Sequence, residues 1–447
     1  MKAYLDILKL VWPLALGMMN NALLQFTDRA FLARESMASL EAVLAASMLA
    51  YVVLGFFQSV VGYAGTFVAQ YFGAKNLAMC RRSYFAGTVI ALVSGTIVLL
   101  VLPLGDWAFE SFSNGSDVIA RQKTYYNICT AGGVFLFGQM AAQSFFTGLG
   151  RTRIVLWVNI IGNVLNVALD PLLIFGLMGF PKLGIAGAAY ATVFATAVQW
   201  AILAVAARRY LATLDLQSPS PSNLSSFPNL LSRILRYGVP AGLYTVLNSL
   251  SFTIFVFFTG TVGHVEAAVS NAVFSICYLL FAPMEGFALG AATLVGHDRG
   301  RGDDAAAMRT GWRTLLLGCL FSATVSSIAV LFRHPLLAIY APPDVAASMQ
   351  FHEIGAVLFV MMGAWQVFDA ADTIVAGALK GAGDTKFVMG WMLIVGFVLW
   401  LPLVWFVFRI HNSMVALWGT LIFYVVVLCV GTLWRWWRGS WCCQRIV

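Results

Sequence analysis

The chain has 447 residues, of which 60% are hydrophobic and only 10% are charged, whereas roughly a quarter are charged in an ordinary soluble domain. A water-soluble protein of this length needs a polar exterior that this composition cannot supply, so most of the surface must face lipid. The seven cysteines form no CxxC pair and the five histidines no HExxH motif, so the sequence predicts no disulfide framework and no structural or catalytic metal centre.

Twelve apolar segments follow one another along the chain, each long enough to cross the roughly 30 Å hydrocarbon core of a membrane. The predicted spans are 8–33, 42–72, 84–108, 122–148, 154–178, 185–210, 233–262, 266–297, 308–333, 348–379, 386–409 and 413–437. A polar, proline-rich stretch with the sequence SPSPSNLSSFP separates the sixth span from the seventh. The sequence therefore predicts an all-α integral membrane protein, with spans 1–6 in residues 1–210, a cytoplasmic linker at 211–230 and spans 7–12 in residues 231–447.

Basic residues concentrate in every second predicted connection. Of the 27 Lys and Arg residues, one side of the membrane receives only Arg29, Arg34, Arg121, Lys123, Lys182, Arg333 and Arg409. By the positive-inside rule, the richer side, which includes both termini, is cytoplasmic. We therefore expect a multi-pass protein of the bacterial inner membrane, and we interpret the net charge of +8 as a topology signal with no nucleic-acid partner.

The two halves of the chain carry matching residues at a nearly constant separation. A shift of 227 residues places Pro13 on Pro240 and Gly73 on Gly300, and a shift of 233 aligns GLGRTR, ending at Arg153, with GAGDTK, ending at Lys386. Parallel repeats of six spans are typical of transporters whose halves are related by an axis along the membrane normal. We expect two pseudo-symmetric six-helix lobes that enclose a cavity and rock against one another.

Polar residues recur at helical spacing in the first half, and two of these stripes end in an acid: Asp28 in span 1 and Asp170 in span 5. A carboxylate in the bilayer costs at least ~2.5–3.5 kcal/mol unless it faces protein or water. Two carboxylates close together in a low-dielectric pocket cannot both stay ionised without a cation. The pair can therefore take up H⁺ or, with oxygens from Asn166 and Thr192, Na⁺. The Asn and Gln residues of the stripes can equally serve only to join helices.

The second half carries its acids at different positions. Phe255 and Leu401 stand at the positions equivalent to Asp28 and Asp170. The acids thus do not repeat, although the spans do.

Three embedded acids, one tryptophan and Asn248 of span 7 are the candidates for a substrate or ion cavity in the second half. Span 10 places Trp365, Asp369 and Asp372 at spacings that share one helix face, and span 8 contains Glu285 between Pro283 and Gly286. Trp365 can attract a cationic solute through its ring face or can simply pack. Asp372 can equally act as a structural partner.

Several long motifs resemble the multidrug and toxic compound extrusion (MATE) family over essentially the full chain. They are TDRAFLA followed by LEAVLAAS, LDPLLIFG followed by GIAGAAYAT, and VFDAADTIVAGALKGAGDTK. The resemblance implies a V-shaped pair of six-helix lobes and efflux coupled to Na⁺ or H⁺.

The resemblance also implies roles for residues at matching positions. Asp28, Asn166, Asp170 and Thr192 are similar to the cation site in the N-lobe of the DinF-like branch, and Pro13 is similar to the proline at which span 1 bends in that branch.

In the second lobe the match is partial. Asp369 resembles the span-10 acid of the NorM-like branch, but Asn248 stands where NorM-like and eukaryotic members have a glutamate on span 7. This departure favours the first lobe as the coupling site.

These patterns predict a secondary antiporter, with no organic cofactor, that exports amphiphilic or cationic drugs and toxic compounds in exchange for H⁺ or Na⁺ by alternating access, as a monomer. The sequence does not choose between the two ions. The alternative is a flippase of lipid-linked oligosaccharides or lipids from the same superfamily, although such proteins usually have additional spans and cationic cavities. An intramembrane enzyme would need a nucleophile–base or metal-ligand spacing, and the sequence contains none.

Overall fold

The computed structural model describes residues 2–112, 115–215, 227–340, 345–411, 413–444 and 446–447, without the side chains at 37, 112, 214, 215 and 345–348. Within these ranges the secondary structure is helical, with short turns and no strand.

The first half of the described chain contains eight α-helices, two of which together form the fourth predicted span. They are α1 Lys2–Glu35, α2 Met37–Gly62, α3 Ala64–Gly73, α4 Leu77–Phe112, α5 Ser116–Ala131, α6 Gly133–Gly148, α7 Thr152–Phe175 and α8 Ile185–Asp215. A short 3₁₀ turn, Leu177–Gly179, lies between the last two.

The second half of the described chain likewise contains eight α-helices. They are α9 Phe227–Gly260, α10 His264–Gly300, α11 Asp304–Leu331, α12 Arg333–Ala338, α13 Val345–Ala382, α14 Thr385–Leu393, α15 Leu401–His411 and α16 Met414–Trp437. A π-helical segment, Ile394–Trp400, connects α14 to α15, and a 3₁₀ turn at Ser440–Cys443 follows α16.

The helices confirm the predicted all-α membrane fold. Among the described residues, eleven helical segments are long and apolar enough to cross a membrane, counting α2 with α3 and α14 with α15. The remaining predicted span, 122–148, corresponds to α5 and α6, whose 16 residues each are too few to meet that length alone. The two helices meet at Gly132, where a β-carbon would collide with the side chain of Val193. Glycine is therefore required by the close approach of α8.

The chain folds into two compact units, each assembled from separate stretches. The N-unit comprises Asn20–Val246, Gly296–Gly302 and Ile446–Val447; the C-unit comprises Met1–Met19, Leu247–Val295 and Asp303–Arg445. Three long helices, α1, α9 and α10, are thus divided between the units.

The predicted domain boundaries divide the chain according to its sequence repeat. The compact units of the structure are defined by spatial contacts and have other boundaries, so the predicted domain boundaries stay a prediction. At the ends of the predicted linker 211–230, residues 211–215 and 227–230 are helical, and 216–226 lie outside the described residues.

The N-unit contains a close crossing between the end of α3 and the end of α10. A β-carbon at Gly73 would collide with the backbone carbonyl of His297, and one at Gly300 would collide with the backbone carbonyl of Gln70. The imidazole Nε2 of His297 is 2.7 Å from the carbonyl oxygen of Gly148. The two colliding pairs are related by the 227-residue shift, so the crossing joins equivalent positions of the two repeats.

Candidate functional site

In the N-unit, α1 and α7 bring together the two predicted coupling acids. The carboxyl groups of Asp28 and Asp170 lie close enough for their charges to interact directly. Asp170 is fully buried. Neither of its carboxyl oxygens, nor Oδ1 of Asp28, has a hydrogen-bond partner among the described residues. Buried polar atoms are almost always partnered, so this pair is suited to an exchangeable proton or cation.

Asn166 and Thr192, the two predicted helpers, form one hydrogen-bonded unit beside the acids. Asn166 is 1% exposed and lies one helical turn before Asp170 on α7. Its Nδ2 donates to Thr192 Oγ1 at 3.2 Å, and that hydroxyl donates to the Ala188 carbonyl at 3.0 Å. The Asn166 Oδ1 atom has no partner among the described residues. An unpartnered amide oxygen thus belongs to the residue one helical turn from Asp170, and oxygen is the donor that hard cations prefer.

Two amides of the polar stripes, and a further pair on α6 and α8, join helices. Asn163 Nδ2 donates to Asn21 Oδ1 at 3.2 Å, which links α7 to α1. Gln139 Nε2 donates to Gln199 Oε1 at 2.8 Å, and Gln199 Nε2 donates to the Asn159 carbonyl at 3.4 Å. These contacts favour the helix-joining interpretation for this part of the stripes.

Tyr125 is a site residue that the sequence analysis missed. It lies on α5, where its hydroxyl interacts with Cys129 and lies within electrostatic reach of both Asp28 and Asp170. Its ring packs against an apolar cluster that includes Leu32 and Ile174. These two residues follow the acids by one turn each, so apolar side chains cover one end of the pair. The i, i+4 spacing of Tyr125 and Cys129 was the available signal, but neither residue type indicates an ion site.

In the C-unit, two of the three predicted acids lie near a lysine, and the third lies near those two acids. Lys380, on α13, interacts electrostatically with Glu285 and Asp372, and Asp369 lies within electrostatic reach of both acids. Thr432 Oγ1 donates to Asp372 Oδ1 at 2.7 Å, which ties α16 to α13. By its place in the sequence Lys380 is one of the charges predicted to be cytoplasmic, and the structure makes it part of this cluster.

Aromatic rings occupy the part of the C-unit that corresponds to the acid pair. Phe255, the equivalent of Asp28, packs against Trp400 with ring centroids 5.1 Å apart. Trp400 stacks on Tyr424 at 4.0 Å, and the Tyr424 hydroxyl donates to Asn248 Oδ1 at 3.2 Å. This region is therefore filled by rings, and the positions equivalent to Asp28 and Asp170 carry Phe255 and Leu401.

Trp365 lies at the edge of the same aromatic group. It is 7% exposed and contacts Phe274 and Trp418 edge-on, with centroids 6.1 and 6.2 Å away. Its indole Nε1 has no hydrogen-bond partner among the described residues. Buried indole N–H groups usually find an acceptor, so this donor is available to a ligand.

Pro13 is buried within α1, which the structure describes as one continuous helix from Lys2 to Glu35. A proline in a helix interior removes one backbone hydrogen bond and favours a kink. The bend at this position stays a prediction.

A model of one family matches both halves of the chain. The MatE model covers residues 13–172 and 240–406. The chain belongs to the MatE family. The two matched segments contain every predicted site residue of this MatE chain except Thr192, which lies between them on α8.

Sequence relatives carry one recurring name. The chain is 28% identical to the probable multidrug resistance protein NorM of Thermotoga maritima over 388 residues, or 85% of this chain and 81% of the relative. It is also 28% identical to the protein of the same name from Rhizobium meliloti, over 81% of this chain and 78% of the relative. The predicted nearness to the DinF-like branch stays a prediction.

Solved structures share the fold of this MatE chain. A multidrug resistance MATE family transporter of the MOP superfamily, in its outward-facing conformation, has a TM-score of 0.87 at 18% identity, covering 99% of this chain and 97% of that one. A MOP superfamily transporter from Pyrococcus furiosus gives 0.85 at 19% identity, over 99% and 97% of the two chains.

Proposed function

We propose that this MatE protein is a secondary active antiporter that exports amphiphilic and cationic organic compounds in exchange for H⁺ or Na⁺. Its membrane fold and its relatives named multidrug resistance proteins support the transport of small molecules. The names of these relatives also agree with a protein that transports compounds without a catalytic step. The observation that carries the coupling is the contact between the carboxyl groups of the half-buried Asp28 and the fully buried Asp170. Among the described residues, three of their four carboxyl oxygens have no hydrogen-bond partner from another residue type.

The acid pair can store and release one coupling ion. With no ion bound, two carboxylates in contact repel one another, and α1 and α7 are pushed apart at this point. A proton held between them, or Na⁺ held by both carboxylates with Asn166 Oδ1 and the Thr192 hydroxyl, removes that repulsion. The two ion states therefore favour different packings of α1 against α7. A ligand shifts a conformational equilibrium only through such a difference in affinity.

The C-unit supplies a different chemistry for the exported compound. Asp369 and Glu285 provide negative charge, and Lys380 offsets part of it. Trp365 provides a ring and an available N–H donor. A cationic amphiphile needs an acid and apolar or aromatic surface, so we assign these residues to substrate binding.

We further propose that the protein works as a monomer in the bacterial inner membrane with both termini in the cytoplasm. The distribution of basic residues supports this orientation.

Reconstituted proteoliposomes test the coupling. Efflux of ethidium, a cationic dye, would be measured under an imposed Na⁺ gradient and, separately, under an imposed pH gradient. We expect one gradient to drive uphill transport by the wild type, and neither to drive it in Asp28→Asn or Asp170→Asn. Asp117→Asn is the matched control, since that side chain is 69% exposed on α5. Wild-type uphill transport by a folded Asp28→Asn variant contradicts the assignment.

A second measurement on the same liposomes distinguishes a flippase from an antiporter. Ion-dependent movement of a lipid-linked oligosaccharide between leaflets, without dye transport, would replace the antiporter assignment by that of a flippase.

A further inference from the structure

The N-unit carries a groove, separate from the acid pair, between the start of α7 and the second half of α8. It has a volume of about 670 Å³ and is lined by Phe146, Arg151, Ile154 and one face of α8. Small-molecule sites range over roughly 300–1,000 Å³, so the groove can hold a substantial part of a ligand.

The α8 face that lines the groove changes from apolar to cationic along the helix. In chain order it presents Ala201, Ile202, Val205, Ala206, Arg209, Tyr210 and Thr213. These positions share one side of a helix and span about 18 Å at 1.5 Å per residue. Val205 is 52% exposed, so the apolar part is open to whatever surrounds the helix. In a membrane protein, that is lipid.

Two arginines mark the cationic end. The guanidinium of Arg151 lies 4.1 Å from the centroid of the Tyr210 ring, and both Arg151 and Arg209 are exposed. Stacking on a ring holds the guanidinium plane while leaving its N–H edges available for a phosphate. Among the described residues that line the groove, none is acidic.

The repeat-related position in the C-unit shows that this charge is not a requirement of the fold. The 233-residue shift places Arg151 on Asp384, which is fully buried. Arg435 Nε on α16 donates to Asp384 Oδ2 at 2.7 Å, and Gln444 Nε2 donates to Oδ1 at 3.2 Å. The C-unit thus neutralises and covers this place, whereas the N-unit leaves it positive and open.

We propose that this groove binds an anionic phospholipid. Arg151 and Arg209 contact its phosphate, and the α8 face from Ala201 to Val205 packs along an acyl chain. Charge complementarity at one end and exposed apolar surface at the other fit this ligand class. Basic pockets between membrane helices on the cytoplasmic side are suited to acidic lipid headgroups, and both arginines fall on the side predicted to be cytoplasmic.

The test compares binding of phosphatidylglycerol and phosphatidylcholine to the purified full chain, counted by native mass spectrometry without drug or ion gradient. Each arginine near an anionic headgroup contributes about fivefold in affinity. We therefore expect Arg209→Gln to lower the preference for phosphatidylglycerol about fivefold and Arg151→Gln/Arg209→Gln roughly 25-fold. Arg153→Gln/Arg208→Gln is the matched control, because these exposed side chains lie on α7 and α8 next to the groove arginines in sequence but do not line the groove.

Three results would overturn the proposal. One is an unchanged preference for phosphatidylglycerol over phosphatidylcholine in the double variant. The two arginines would then serve only to orient the chain in the membrane. Another is an equal loss in the control variant. The third is full displacement of the lipid by equimolar glycerol phosphate, which would show that the acyl chain contributes nothing. The single variant Arg209→Gln keeps the test valid if the double variant does not fold. Arg209 is exposed, and its replacement leaves the stacking of Arg151 on Tyr210 intact. Since no transport is measured, the outcome is independent of ion coupling.

Discussion

The ion pair between Asp384 and Arg435 allows a test of how the C-unit stabilises the end of α16. The carboxylate accepts hydrogen bonds from Arg435 and from Gln444. The two partners differ in burial: the side chain of Asp384 is 1% exposed and that of Arg435 is 22% exposed. Removing one partner should therefore have a different effect from removing the other.

The magnitudes follow from what each substitution leaves behind. Arg435→Gln leaves a buried carboxylate with one neutral donor, and we expect the free energy of unfolding to fall by about 3 kcal/mol, the lower end of the range for breaking a buried pair. Asp384→Asn leaves an arginine that water can reach and an amide oxygen that still accepts, so we expect a loss of about 1 kcal/mol. The double variant should lose about as much as Asp384→Asn alone, because it contains no unpaired buried charge.

Unfolding in detergent, followed by circular dichroism across a denaturant series, measures these differences. Arg438→Gln is the control, since Arg438 is exposed beside Arg435 on the same chain segment. The reasoning is refuted if Arg435→Gln destabilises no more than Asp384→Asn, or if the two losses add in the double variant.

Three further substitutions give expected outcomes. Gly300→Ala should destabilise the protein by about 1–3 kcal/mol, because the new methyl group meets a backbone carbonyl that cannot rotate away. Gly390→Ala, with nothing within 4 Å, should be neutral or stabilising in the same denaturant unfolding assay. Tyr125→Phe should keep the fold and weaken gradient-driven dye efflux, since it removes only the hydroxyl near the acid pair. Unchanged efflux would show that this hydroxyl takes no part in ion coupling. Thr432→Val removes the donor to Asp372 and should cost about 1.5–3 kcal/mol, and an unfolding midpoint equal to that of the wild type would contradict this.

Helical periodicity was sufficient to locate the acid pair. Asp28 and Asp170 each end a stripe of polar residues on an otherwise apolar helix, and a carboxylate there must face protein or water. The same rule indicated Asp369, Asp372 and Glu285, and the structure places those three acids together. The sequence also predicted the twelve spans, because hydrophobic length is a direct requirement of the bilayer.

The features that the sequence did not reveal depend on tertiary contacts. Tyr125 lies four residues before Cys129, but neither residue type indicates an ion site. Only its packing against Leu32 of α1 and Ile174 of α7 gives its hydroxyl a role. Lys380 follows directly after predicted span 348–379, so the sequence places it in a connection between spans. Only the tertiary structure shows that acids from other helices lie near it. The break between α5 and α6 arises where Val193 approaches Gly132, and a sequence pattern does not show which side chain faces a glycine.

The crossing of α3 and α10 has a consequence for the origin of the fold. Gly73 meets His297 while Gly300 meets Gln70, so each contact is the other with the two repeats exchanged. That reciprocity is the property of an isologous interface, in which two identical subunits use the same surface on both sides. A single six-span ancestor could have made both contacts at once by pairing with a second copy of itself. Gene fusion would then have preserved a dimer interface inside one chain, while the acids on either side were free to diverge.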